Sequence, residues 1–411
     1  MDTSWIKDAV AQEVAEAKII DLHTHLFPPA FGENMLWGVD ELMTYHYLLA
    51  ETFRYRGNPG EDFWALSKAE QADIIFQTLF VEHSPISESC RGVLTTLQKL
   101  GLDVGSRDLA AWRAYFAALT PEAYVDKVFE AAGVEKVVMT NDPFDDAERA
   151  CWERGEAVDP RFLAALRLDM LILHYEENYS RLVAWGYGAK AAPDAQSDAE
   201  VRRFLGDWIE RMHATYVAVS LPDTFRYPAD DLLCHLIDAC VVPVCAKYGI
   251  PFAMMIGVKR QVNPALKLAG DGVGKGDVDS VMRLCQRYPD NKFMATFLAR
   301  ENQHELAVTA RKFANLHIFG CWWFLNNPSL IEEMTRMRIE LLGLSVTPQH
   351  SDARVLDQLI YKWTHSRAVI AKVLADKYLD LAQTGWMPTR EEIHRDVEAL
   401  FGGEFLQFLH R

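Results

Sequence analysis

Residues 17–26 read "AKIIDLHTHL", an apolar run that ends in two histidines one residue apart. Alternate residues of a strand project to the same side. His23 and His25 therefore share a face, and Thr24 takes the other. Pro28 and Pro29 follow at once and stop the strand, which leaves the pair at its rim. Two readings are open for this stretch taken alone. The histidines are polar residues capping a strand, or they converge on a divalent transition metal at nitrogen distances of about 2.0–2.1 Å.

Seven more short apolar runs follow: "KVVMTND" (136–142), "FLAALRLD" (162–169), "YVAVSLP" (216–222), "IPFAMMIGV" (250–258), "KFMATFLA" (292–299), "LHIFGCWWF" (316–324) and "LLGLSVTPQHSD" (341–352). Near-continuous apolar runs suit parallel strands buried on both faces. The stretches between them, such as "DDLLCHLIDACVVPVCAKYG" (230–249), have helical periodicity and stop at a glycine. Eight strands alternating with helices imply an α/β chain folded as a (β/α)8 TIM barrel. In a closed barrel the last strand lies beside the first. Asp352 then faces His23 and His25 as a third metal ligand. Alone, Asp352 also reads as the N-cap of a helix over "ARVLDQLIYKW" (353–363). Its meeting with the two histidines across the seam favours the metal. Arg354, two residues on, shares the face of Asp352 or sits solvated in a first helical turn.

About 110 residues separate the first run from the second. A structureless loop of that length is implausible in a compact protein. Segments such as "VDELMTYHYLLAETFRY" and "EDFWALSKAEQADIIFQTLF" are amphipathic and read as helices. The expected organisation is a metal-dependent barrel of residues 1–37 and 131–411, with a helical insertion over 38–130 capping the catalytic face. By periodicity alone, His46 and Tyr47 within the insertion are helix-packing residues. The polar N-terminal stretch reads as an amphipathic helix rather than a signal peptide, and the chain after the last run reads as helical to its end.

Several other features bound the function. Arg167 in "ALRLD" (165–169) either binds a substrate carboxylate or pairs internally with Asp169 or Asp142. Of Trp322 and Trp323, one suits stacking on a sugar ring and the other the core. The fifth and sixth runs contain no histidine and the fourth no lysine, so one metal is expected rather than two. "HELAV" (304–308) lacks the second histidine of HExxH. "AGDGVGKGD" (269–277) fails the spacing of a phosphate loop and reads as a flexible loop over the barrel mouth. A formal charge of −16 weighs against nucleic acid. No apolar run approaches the roughly 18 residues that suggest a membrane span. Seven cysteines without a CxxC pair read as reduced thiols of a cytoplasmic protein, in which the sequon "NYS" (178–180) is accidental.

"DLHTHLFPPAFGE" (21–33), with "LMTYHYL", "MTNDPFDD", "ALRLD", "FGCWWFLNNP" and "HSDAR", resembles the uronate isomerase (glucuronate isomerase) family of the amidohydrolase superfamily. The resemblance runs over nearly the whole chain. It implies a metal-dependent barrel that interconverts D-glucuronate with D-fructuronate and D-galacturonate with D-tagaturonate through a cis-enediol. It implies metal ligation by His23, His25 and Asp352, with one divalent ion, zinc first among the expectations. It implies substrate contacts by His46, Tyr47, Arg167, Arg354 and Trp363, to which Trp322 is added from its place at a strand end. Asp352 would take a hydroxyl proton on ring opening, Tyr47 or a metal-bound water would act at C2, and Arg354 would stabilise developing negative charge. The implied partner is a hexuronate, with no nucleic acid and no membrane, and a homo-oligomer is compatible with the chain. The departures are a threonine between the histidines where many members carry cysteine, DAR in place of DSR, and a shorter chain. The alternatives are a mononuclear metal-dependent hydrolase or lactonase of the same superfamily, and a non-catalytic sugar-acid binding protein.

Overall fold

The computed structural model describes residues 2–155 and 158–411. Seven parallel strands curl side by side: β1 (Ile19–Thr24), β2 (Val134–Asn141), β3 (Phe162–Arg167), β4 (Val217–Pro222), β5 (Phe252–Lys259), and, after the short β6 (Gly272–Val273), β7 (Phe293–Phe297) and β8 (Leu316–Ile318). Helices separate them, as the alternating sequence runs require. β6 is an extra strand that pairs antiparallel with β5. The stretch 269–277, expected as a flexible loop, is therefore partly tied down as a hairpin arm.

The eighth expected strand differs from expectation. Leu341 and Leu342 end the helix Pro328–Leu342, and the chain from Thr347 to Ala353 runs on without a regular ladder. It nevertheless closes the barrel. Thr347 N donates to Ile318 O at 3.3 Å and Gly320 N to Thr347 O at 2.8 Å, while on the other side Asp352 N donates to His23 O at 3.2 Å and His25 N to Ala353 O at 2.7 Å. The reason for the broken ladder is local. Pro348 has no N–H to give. The Ser351 N–H goes instead to the Asp21 carboxylate at 3.0 Å, and the buried Lys362 ammonium donates to Ser351 O at 2.5 Å.

β1 is irregular too. Its pairing with β2 shifts register between Asp21 and Thr24. Leu22 packs in the barrel interior with Val138, Ala165 and Ala218, and the next residue, His23, also faces the interior, where its ring meets Tyr216. A register shift of this kind re-aims side chains beside functional sites. Asp21 stays outward, where the indole N–H of Trp363 donates to it at 2.8 Å.

The barrel interior closes at its base with the C-terminal helix Glu404–His410, whose Phe405 and Phe408 join the interior cluster. Outside the strands, one continuous apolar core joins insertion residues such as Leu42, Trp112 and Tyr124 to barrel residues such as Val137 and Phe162. The helix Pro121–Ala132 packs against β2 and crosses the expected boundary at 130/131, because it is the barrel helix that feeds β2. Among the described residues, no helix is long and apolar enough to cross a membrane.

Candidate active site

A cavity lies at the C-terminal ends of β1, β3, β4 and β5. His25, Arg167, Asp352, Arg354 and Trp322 line it, as does His46 from the helix His46–Arg56 of the insertion. Clefts with a few convergent polar groups are the usual form of small-ligand sites.

His23, His25 and Asp352 form the one group of three potential metal ligands found among the described residues, with donor atoms all within 4.8 Å of one another. Asp352 Oδ1 lies 3.5 Å from Nε2 of each histidine. Two ligands of a tetrahedral ion at about 2.1 Å stand about 3.4 Å apart, so this spacing leaves room for an ion and is too wide for good hydrogen bonds. Asp352 Oδ1 and His23 Nε2 are buried without a hydrogen-bond partner. Such atoms are costly unless something meets them. Burial, then the charge of Arg354, holds the pKa of His25 well below the ordinary imidazole value, so its lone pair is available. The donor set therefore fits a single divalent cation. Asp352 adopts a left-handed backbone conformation with φ of 51°. Strain of this sort persists where the surroundings over-determine a residue. Asp352 does not cap a helix: the following helix begins only at Gln358, whose side chain accepts from Arg354 N at 2.9 Å.

The two readings of Arg167 coexist. Its Nη2 donates to Asp169 Oδ1 at 2.9 Å, yet its guanidinium still lines the cavity. Burial opposes its charge, but Asp169, Asp142 and Glu148 outweigh that and raise its pKa. His46 is held neutral, with a pKa pushed down to about 3 by burial and by Arg354 and Lys362. Tyr47 stands just behind the cavity wall. Its ring meets those of Tyr45 and His46 edge to face at 4.9 and 4.8 Å. His46 Nε2, the Tyr47 hydroxyl and Trp323 Nε1 are all buried without partners. Unmet buried polar atoms of this kind are uncommon in native structures.

Trp363 lies apart from the cavity lining. The resemblance implies a substrate contact, but the indole is buried under the seam and satisfied by Asp21. It braces the strand that carries the histidines. Sequence reasoning also missed several residues. Tyr45, Ser220, Arg260 and Asp271 line the cavity. Asp271 lies in the stretch set aside as a flexible loop. His350 is fully buried, has neither ring nitrogen partnered, and its ring lies 5.2 Å from that of His23. The spacing of "HSD" (350–352) repeats that of "HTH" and was the available signal.

No protein-family model matches the chain, and no curated protein does. Among solved structures, a uronate isomerase from Bacillus halodurans C-125 is 56% identical and superposes with a TM-score of 0.98, over 100% of this chain and 97% of that one. A uronate isomerase from Thermotoga maritima and a glucuronate isomerase from Caulobacter crescentus share the fold at 16% identity, each with a TM-score of 0.78. They cover 98% and 99% of this chain, and the matches span 97% and 94% of their own chains. With more than half its residues identical to the Bacillus protein over its full length, the chain belongs to the uronate isomerase family.

Proposed function

We propose that this protein interconverts D-glucuronate with D-fructuronate and D-galacturonate with D-tagaturonate, moving a proton between C2 and C1 through a cis-enediol. The observation that carries the reading is the meeting of a three-donor metal set with Arg167 and Arg354 at one cavity. His23, His25 and Asp352 would hold one divalent ion, zinc by the imidazole-rich donor set. When bound, the ion supplies positive charge that eases charge development on the sugar oxygens.

The chain's own residues do the rest. Arg167, at the end of β3 and already oriented by Asp169, binds the uronate carboxylate. Asp352 takes the hydroxyl proton as the sugar ring opens. Arg354 faces the negative charge of the enediolate. Trp322 packs against the sugar, and His46 offers its unmet nitrogen to a hydroxyl. Burial raises the pKa of the Tyr47 phenol well above its ordinary value, so it rests protonated, and it would act near C2. The insertion over 38–130 caps the face and excludes water. Seven unpaired cysteines support a reducing, cytoplasmic setting. Hydrolysis would need neither arginine, and a simple binding protein would not need a complete metal set, so family and site together weigh against both alternatives.

The test is to incubate zinc-loaded protein with each uronate in deuterium oxide and follow the products by NMR. Ketose carrying solvent deuterium at C1 is the expected outcome. Recovery of unchanged uronate, or a ring-opened acid without ketose, would refute the proposal.

A further inference from the structure

Behind the metal-facing atoms, each histidine meets a hydroxyl group. His23 Nδ1 lies 3.3 Å from the Tyr216 hydroxyl, and His25 Nδ1 lies 2.8 Å from Thr140 Oγ1. A neutral imidazole carries one proton, on either nitrogen, and only the bare nitrogen can ligate. A hydroxyl also carries one proton. Here both hydroxyl protons are already directed elsewhere. Tyr216 donates to the backbone carbonyl of Leu22 at 2.7 Å, and Thr140 donates to that of Thr24 at 3.1 Å. Neither oxygen has a second proton to offer, so each can only accept from the ring beside it. That places the imidazole proton on Nδ1 and leaves Nε2 bare, on the side where Asp352 Oδ1 waits at 3.5 Å.

The two devices come from different parts of the fold. Thr140 sits on β2, across the irregular stretch of β1, and a reciprocal bond from Thr24 Oγ1 to Val138 O at 3.1 Å steadies the pair. Tyr216 sits at the foot of β4 inside the barrel, fully buried among the interior residues. Both hydroxyls face the backbone of β1 itself. The strand that carries the ligands thus also fixes the direction of the hydroxyls that set their protonation.

We propose that Thr140 and Tyr216 are positioning residues of the metal centre, which preset His25 and His23 in the Nδ1–H tautomer before metal arrives. The proposal rests on the reading of His23, His25 and Asp352 as metal ligands. Partners behind metal-bound histidines are typically worth 10–100-fold in metal affinity.

The variants are Thr140→Val, Tyr216→Phe and Thr140→Ser, each checked for an unchanged fold by thermal unfolding. Two measurements apply. Zinc affinity is read by competition with a chromophoric chelator, and histidine tautomers are read by ¹⁵N NMR of metal-free protein labelled at histidine. Thr140→Val and Tyr216→Phe are expected to weaken zinc binding by about 10–100-fold each, while Thr140→Ser, which keeps the acceptor, stays near the parent. In metal-free Thr140→Val, the His25 signals should move from the Nδ1–H pattern toward a mixture. A serine variant that binds no better than the valine variant would overturn the proposal. So would zinc affinities within twofold of the parent together with unchanged tautomers. Failure of the ligand reading looks different: a His23→Ala/His25→Ala protein would keep its zinc, whereas the tautomer measurement is made without metal.

Discussion

Arg167 keeps its charge in a buried position because Asp169 pairs with it at 2.9 Å and Asp142 stands nearby. The planar fork of an arginine matches a carboxylate in a way that the point charge of a lysine does not. Arg167→Lys should therefore raise KM for both uronates by roughly tenfold or more, with a smaller change in kcat, because most of what is lost is ground-state binding. Steady-state kinetics checks this, and equal falls in kcat and kcat/KM would instead point to a role confined to the transition state. Glu148, which adds to that field only once ionised, has a consequence for stability. Burial pushes its pKa up to about 8 from an ordinary value of 4.5, despite hydrogen bonds from Asp142 N and Asn141. A raised folded pKa means that the native state holds its proton longer than the unfolded chain does. Its contribution to stability is complete below the ordinary value and is lost as pH rises toward about 8. Glu148→Gln removes the titration. The variant should be less sensitive than the parent to a change from about pH 5 to pH 8 in urea unfolding, and an identical pH slope would refute the assignment.

At the scale of elements, the strands that alternate with helices were legible because a buried parallel strand has a compositional signature that needs no knowledge of its partners. The seam was legible in part. The meeting of Asp352 with His23 and His25 follows from barrel closure, and the structure has that contact. The irregular stretch of β1 was not legible, because a register shift depends on what β2 offers opposite, and the sequence of one strand does not contain that. Nor was the substitution of Asp21 and Lys362 for ladder partners at Ser351, since both side chains come from distant elements. The bracing role of Trp363 was hidden for the same reason. Gly320 shows how tightly this seam is built. It has φ of +66°, and a Cβ there would lie 1.7 Å from Cδ2 of His350. His350 is fully buried and sits between the rings of His23 and Phe319, at 5.2 and 5.4 Å, so its room to withdraw is small. The Gly320 backbone is also held in place, since Gly320 N donates to Thr347 O at 2.8 Å and Gly320 O accepts from the buried Arg338 at 2.7 Å. Gly320→Ala combines an unfavourable backbone conformation with overpacking and should cost about 3 kcal/mol. It should also disturb metal binding, because the displaced ring presses on His23. Urea unfolding and metal titration of the variant test both parts.

Across the whole molecule, a chain with a formal charge of −16 nevertheless gathers Arg167, Arg260 and Arg354 around one cavity. Local placement of guanidinium groups, rather than overall charge, decides the ligand. A second global feature links the far end of the chain to the same site. The barrel interior is filled from its base by the last helix, where Phe405 meets Tyr216 edge to face at 6.4 Å and Phe408 stacks on His317 at 5.1 Å. Phe405 is completely buried. Lys292 secures the helix by donating to Leu409 O at 2.5 Å. Removing a buried phenylalanine ring typically costs about 3–5 kcal/mol, part of it for the cavity left behind. Phe405→Ala and Phe408→Ala should both fall in that range, but their effects on the site should differ. The space opened by Phe405→Ala lies beside Tyr216, whose hydroxyl contacts His23, so this variant should lose metal affinity as well as stability. The space opened by Phe408→Ala lies beside His317, whose Nε2 is engaged with Thr347 Oγ1 rather than with the metal ligands, so metal affinity should be kept. Urea unfolding and zinc competition on the two variants separate these outcomes. If both lose stability and neither loses zinc affinity, the base of the barrel supports the fold without reaching the site, and the link through Tyr216 fails.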